Sequence, residues 1–243
     1  MPHRTDTPRV HACLWDRSRY CARDLSPETK MRTSYVISLV LLASCSSMYY
    51  GTMEKFGYHK RDLLVERVQE GRKEQVDAQK QFQSTFDAFK ALTEFEGGQL
   101  EATYKKLNSE YERCKSSAAA VTSRIKSIEK VAGDMFTEWK KENEQYQSAD
   151  MRAKSEKMLD DTKVRYEGLI TAMHGAETKM APVLGAFGDQ VLMLKHSLNA
   201  QAIASLQDTV VKIESDVGNL IKEMEKSIAE ADSFIASMSE PKA

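Results

Sequence analysis

Cys45 is the residue whose surroundings speak most directly of chemistry. It stands behind Leu42, Ala43 and Ser44, at the end of a short apolar run, so a thiol follows immediately on small residues that suit a cut site. The other chemically capable side chains form weaker patterns. Helical bundles hold di-metal centres through Glu-x-x-His pairs, but the residues three before His59, His174 and His196 are Phe56, Thr171 and Met193. Met173, Met180 and Met193 with His174 and His196 have the ligand types of a soft-metal site. Met173 and Met180, however, fall on core positions, where methionine commonly packs. No Gly-x-x-x-x-Gly-Lys-Ser/Thr cradle for phosphates is present, nor a Gly-x-Ser-x-Gly elbow. These patterns predict a protein that is not an enzyme, with no cofactor and no bound metal.

Around Cys45 the elements are short. Met31-Arg32-Thr33-Ser34 gives a charged start, and Tyr35-Val36-Ile37-Ser38-Leu39-Val40-Leu41 an apolar stretch. That stretch is far below the ~20 residues that span a bilayer, so residues 31–44 predict a secretory signal. Leu42-Ala43-Ser44-Cys45 resembles the lipobox of bacterial lipoproteins. The resemblance implies a diacylglycerol on the Cys45 sulfur, cleavage before it, and acylation of the new amino terminus. Two or three acyl chains anchor stably where one does not. An aspartate after the cysteine would resemble an inner-membrane retention mark; Ser46 points to the outer membrane instead. The departure from the usual pattern is a start with one charge, Arg32. Residues 1–30 are either a disordered leader or an upstream stretch read in error, with translation beginning at Met31. Residues 45–57 read as a lipidated tether. Lys55, His59, Lys60 and Arg61 follow closely and suit either lipid headgroups or a solvated helix start.

The body, residues 58–240, has a different character. Pro182 is the only proline between Pro27 and Pro241, and Ala, Glu, Lys and Gln abound, so helix is the favoured conformation. One helix is expected from Tyr58 to Phe95, with Leu64 and Val68, a polar middle, then Phe82, Phe86, Phe89 and Leu92; Gly97-Gly98 ends it. The second carries Leu100, Tyr104, Leu107, Tyr111, Cys114, Ala118, Val121, Ile125, Ile128, Ala132, Met135 and Trp139. Alternating steps of four and three make a 3.5-residue period, the signature of helices wound left-handedly around a partner. After Ser148-Ala149-Asp150, with Asp150 as the expected N-cap, the seam resumes at Leu159 and runs through Tyr166, Met173, Met180 and Phe187. Asn199 opens a fourth helix, whose seam runs from Ile203 to Met238. Short connections make neighbours antiparallel. The expected fold is all-α: an elongated antiparallel four-helix coiled-coil bundle, its third helix kinked near Pro182 at residues 178–182.

Charge narrows the partners. The chain carries a net charge of −1, and removing the seven bases and four acids of residues 1–44 leaves 28 bases against 32 acids. Such a mixed, weakly acidic body lacks the concentrated basic face that phosphate backbones require, so no nucleic acid is expected. Cys114 is the remaining thiol of the body and sits on a seam.

Several stretches carry a further likeness: Met53-Glu54-Lys55-Phe56-Gly57-Tyr58-His59-Lys60-Arg61-Asp62, Phe95-Glu96-Gly97-Gly98, residues 182–192, and residues 194–203. Together they resemble the bacterial domain-of-unknown-function family numbered 2959, from Cys45 to about Met238. The resemblance implies a periplasmic coiled-coil protein with no established activity and no catalytic residue to carry over. Some members bear a DNA-repair ATPase label, which the missing phosphate cradle does not support. The leading expectation is a structural or interaction lipoprotein at the periplasmic face of the outer membrane. It would touch the membrane through its lipid anchor and an unknown periplasmic protein through its rod, with self-association possible. One alternative is a bundle binding an apolar or lipid-like ligand where Gly185 and Gly188 leave room beside Pro182. The other is a cytoplasmic coiled coil linked to DNA repair.

Overall fold

The computed structural model describes residues 60–94, 100–197 and 199–239. The signal, the lipobox residues Leu42, Ala43, Ser44 and Cys45, the tether with Lys55 and His59, the Gly97-Gly98 turn and Glu240-Pro241 lie outside the described residues. Four helices account for the described chain: α1 (Lys60–Thr93), α2 (Leu100–Asn143), α3 (Ala149–His196) and α4 (Ala200–Ser239). Strands are absent among the described residues.

The helices close a ring in which α1 packs on α2 and α4, and α3 packs on the same two. Cross-helix pairs fix the directions. Along α1, Lys60, Glu70 and Gln81 meet Glu138, Arg124 and Glu110 of α2, so one helix rises as the other descends. Arg72, Gln79 and the Thr93 carbonyl likewise meet Asp232, Glu225 and Gln207 of α4. Glu129 and Trp139 of α2 reach His174 and Ser155 of α3. Every neighbour is antiparallel, as short connections require. One end of the bundle therefore holds the start of α1, the α2–α3 turn and the end of α4.

The seams explain why the ring forms. From Leu107 to Met135 the four-three steps of α2 are buried except for a half-buried Tyr111, and the α3 and α4 seams behave the same way, with Tyr166 and Val210 half-buried. Phe89 and Phe187 meet across the core with ring centroids 6.4 Å apart. Fully burying one such side chain stabilises the fold by roughly 1.5–3 kcal/mol. Helix α1 also carries an unbroken seam, and its polar middle is part of it. Leu64, Val68, Gly71, Gln75, Ala78, Phe82, Thr85, Phe89 and Leu92 step by four and three, and all are buried.

One expectation needs correction. Ser148, not Asp150, caps α3: its extended backbone (φ −81°, ψ 122°) turns its hydroxyl onto the Met151 amide, and Asp150 lies inside the first turn. Helix α3 is continuous from Ala149 to His196 with Pro182 inside, and a kink at residues 178–182 is not part of what the structure shows. The proline costs the Thr178 carbonyl its intrahelical donor. Both residues are exposed, so water can supply the missing hydrogen bond. Asn199 opens α4 as expected, its side-chain oxygen accepting from the Ala202 amide at 2.9 Å.

Candidate functional site

Antiparallel pairing brings the first turn of α1 against the last turns of α2, and a cleft of about 410 Å³ opens there. Trp139, Met135 and Met158 give it an apolar wall; Lys60, Arg61 and Glu138 line its rim. Trp139 stays half-buried because its indole nitrogen donates to Ser155 at 2.9 Å, and Ser155 donates to Asn143 at 2.6 Å. Of the four basic-cluster residues, the structure describes two. Lys60 pairs with Glu138 at 2.8 Å, and the Arg61 guanidinium donates to the Met238 carbonyl. Both side chains therefore hold the ends of α1, α2 and α4 together, and any headgroup must compete with those partners.

A second polar cluster bridges α2 and α3. His174 Nδ1 lies 2.8 Å from Glu177 and Nε2 lies 2.9 Å from Glu129. Hydrogen bonds that the ring donates to Glu129 and then to Glu177 hold the imidazole pKa above its usual value against partial burial. Burial works to raise the Glu177 carboxyl, but the Thr122 hydroxyl and His174 outweigh it and keep it below its ordinary range. With both ring nitrogens facing carboxylates, the ring leaves no nitrogen free for a substrate or a metal. The Glu-x-x-His pattern does not reveal this cluster. Glu177 comes three residues after, and Glu129 comes from another helix.

Buried groups elsewhere serve packing. Burial pushes the Cys114 thiol up to about 12, with Thr85 pulling the other way and Glu110 adding to the rise. Burial, helped by Glu129, raises Tyr166 to about 12, and its ring packs edge-on against Phe136. Met173 and Met180 lie in the core, while His196 is exposed, so these potential ligands do not share one environment. Among the described residues, no group of three or more His, Cys, Asp or Glu side chains is spaced to hold a metal ion. The room expected beside Pro182 is filled on the Gly188 side only. A Cβ on Gly188 would lie 2.5 Å from the Tyr111 hydroxyl, whereas Gly185 faces open space.

Comparison with known proteins adds one finding. The sequence model of the family described as "Protein of unknown function (DUF2959)" matches residues 49–238. The chain belongs to this family. The DUF2959 match takes in the whole of α1, α2 and α3 and all but the last residue of α4. No curated protein and no solved structure matches the chain.

Proposed function

We propose that this DUF2959 protein is a non-enzymatic periplasmic lipoprotein, acylated on Cys45, that presents its bundle as a scaffold from the outer membrane. The observation that carries the reading is Leu42-Ala43-Ser44-Cys45 directly behind a short apolar stretch. Processing at that site would leave Ser46 as the sorting residue. A bundle whose apolar seams are already buried within one chain suits display to a partner better than insertion into lipid. Among the described residues, no helix is long and apolar enough to cross a membrane. Lys55 and His59 fall within the segment that would lie nearest the headgroups, where each basic charge is worth about 1 kcal/mol at an anionic surface. Metabolic labelling with a palmitate analogue tests the proposal. Wild-type protein should take up label, inhibition of lipoprotein signal peptidase should build up a larger precursor, and Cys45→Ala should abolish the label. Unlabelled wild-type protein would overturn it.

A further inference from the structure

The α2–α3 turn carries apolar side chains that the fold does not use. Tyr146 is 38% exposed, Met151 50% and Met158 36%. Met151 and Met158 are seven residues apart on α3 and so share one face, and Met158 borders the cleft walled by Trp139. The other exposed large apolar residues among those described, Val164, Leu192 and Val211, are scattered singly. The turn itself is firmly built. Arg152 donates to the carbonyls of Glu144 and Tyr146, each at 3.2 Å, and Ser148 caps the helix behind. Two turn carbonyls thus have partners already, which lowers the cost of leaving water.

Position supplies the occupant. The turn shares its end of the bundle with the start of α1, since Lys60 pairs with Glu138 there. Cys45 precedes Lys60 by only fifteen residues, a span of at most about 50 Å when extended. Charges at the tip balance, Glu144 and Asp150 against Arg152 and Lys154, so it makes no demand for an anionic surface. We infer that this tip docks on the headgroup layer of a zwitterionic bilayer, with Tyr146, Met151 and Met158 entering the interface. Tyrosine suits that layer because its ring is apolar and its hydroxyl polar. The inference rests on the lipid anchor at Cys45, which makes a weak contact intramolecular.

The test separates the two ideas by supplying the anchor chemically. The full chain carrying Cys13→Ser and Cys21→Ser is coupled through Cys45 to maleimide-bearing lipid in phosphatidylcholine–phosphatidylethanolamine vesicles. Hydrogen exchange is then read by mass spectrometry against the same chain capped with a soluble maleimide. Amides of residues 144–148 should exchange several-fold more slowly on vesicles, with no change at Ser197 and Asn199 of the opposite end. The triple variant Tyr146→Ser, Met151→Ser, Met158→Ser, altered only at exposed positions, should stay helical and tethered yet lose the slowing. Unchanged exchange in the tethered wild type would overturn the inference. So would equal slowing in concentrated soluble chain, which would assign the tip to a second copy. Failure of palmitate labelling in cells would remove the anchor without altering this readout.

Discussion

Cys114 and His174 show how one side chain's surroundings set what it can do. The thiolate is the reactive form of cysteine, and burial that raises the Cys114 pKa to about 12 leaves almost none of it near neutral pH. Native protein should therefore resist iodoacetamide at Cys114, and denaturant should expose it, as peptide mapping would show; rapid native alkylation would contradict the packing. His174 behaves in the opposite sense. Its folded pKa lies above the unfolded value of about 6.5. The stabilisation is complete below that value and fades as pH rises through the folded pKa. The side chain is 44% exposed, which keeps the effect small. His174→Gln should lower the melting temperature more at pH 6 than at pH 9, and an equal loss at both would show that the ion pairs contribute nothing. Cys114 was legible from its seam position alone. The His174 cluster was not, because half of it lies on another helix and no heptad rule pairs the two.

The helices were largely legible because 3.5-residue seams survive almost any surface composition. The exception is instructive. Helix α1 reads as broken in its middle since Gly71, Gln75 and Thr85 are not apolar residue types, yet they hold seam positions and are buried. Gln75 is 1% exposed, and neither its side-chain oxygen nor its nitrogen finds a protein partner. A buried polar group left unpaired costs about 1–3 kcal/mol. Gln75→Leu should thus stabilise the bundle by an amount of that order in urea unfolding; destabilisation would mean that the amide has a partner in solution, such as a bound water. The two glycines near Pro182 give a matched pair. Gly185 faces open space, so Gly185→Ala should stabilise α3 by up to about 1 kcal/mol through helix propensity. Gly188→Ala gains the same propensity but must displace the Tyr111 hydroxyl, at the roughly 1–3 kcal/mol usual for overpacking, so it should destabilise on balance. Both variants would be read by thermal and urea unfolding, and the same sign for both would refute the packing of Tyr111 on Gly188.

Across the whole bundle the antiparallel ring sorts the molecule into two ends. Helix α3 alone, 48 residues at about 1.5 Å each, sets those ends roughly 70 Å apart. The order of helices around the ring was beyond the sequence: four similar seams can close within one chain, or between chains as an exchanged assembly, with the same heptads. Within one chain each helix already has two neighbours, and the largest core side chains, such as Phe82, Phe187 and Phe234, are fully buried. Inter-helix ion pairs such as Arg72 with Asp232 and Arg124 with Glu70 also close within the chain. Exposed pairs of this kind add little stability but favour one partner helix over another. The unacylated Cys45→Ala chain should therefore sediment as a monomer over a wide concentration range, with a melting temperature independent of concentration. If the seams closed between chains, the sedimenting mass would be a multiple of the chain and the melting temperature would climb with concentration, since assembly would then be part of folding. Association confined to the α2–α3 tip would raise the mass at high concentration yet disappear with the serine triple variant, leaving the bundle's own closure intact.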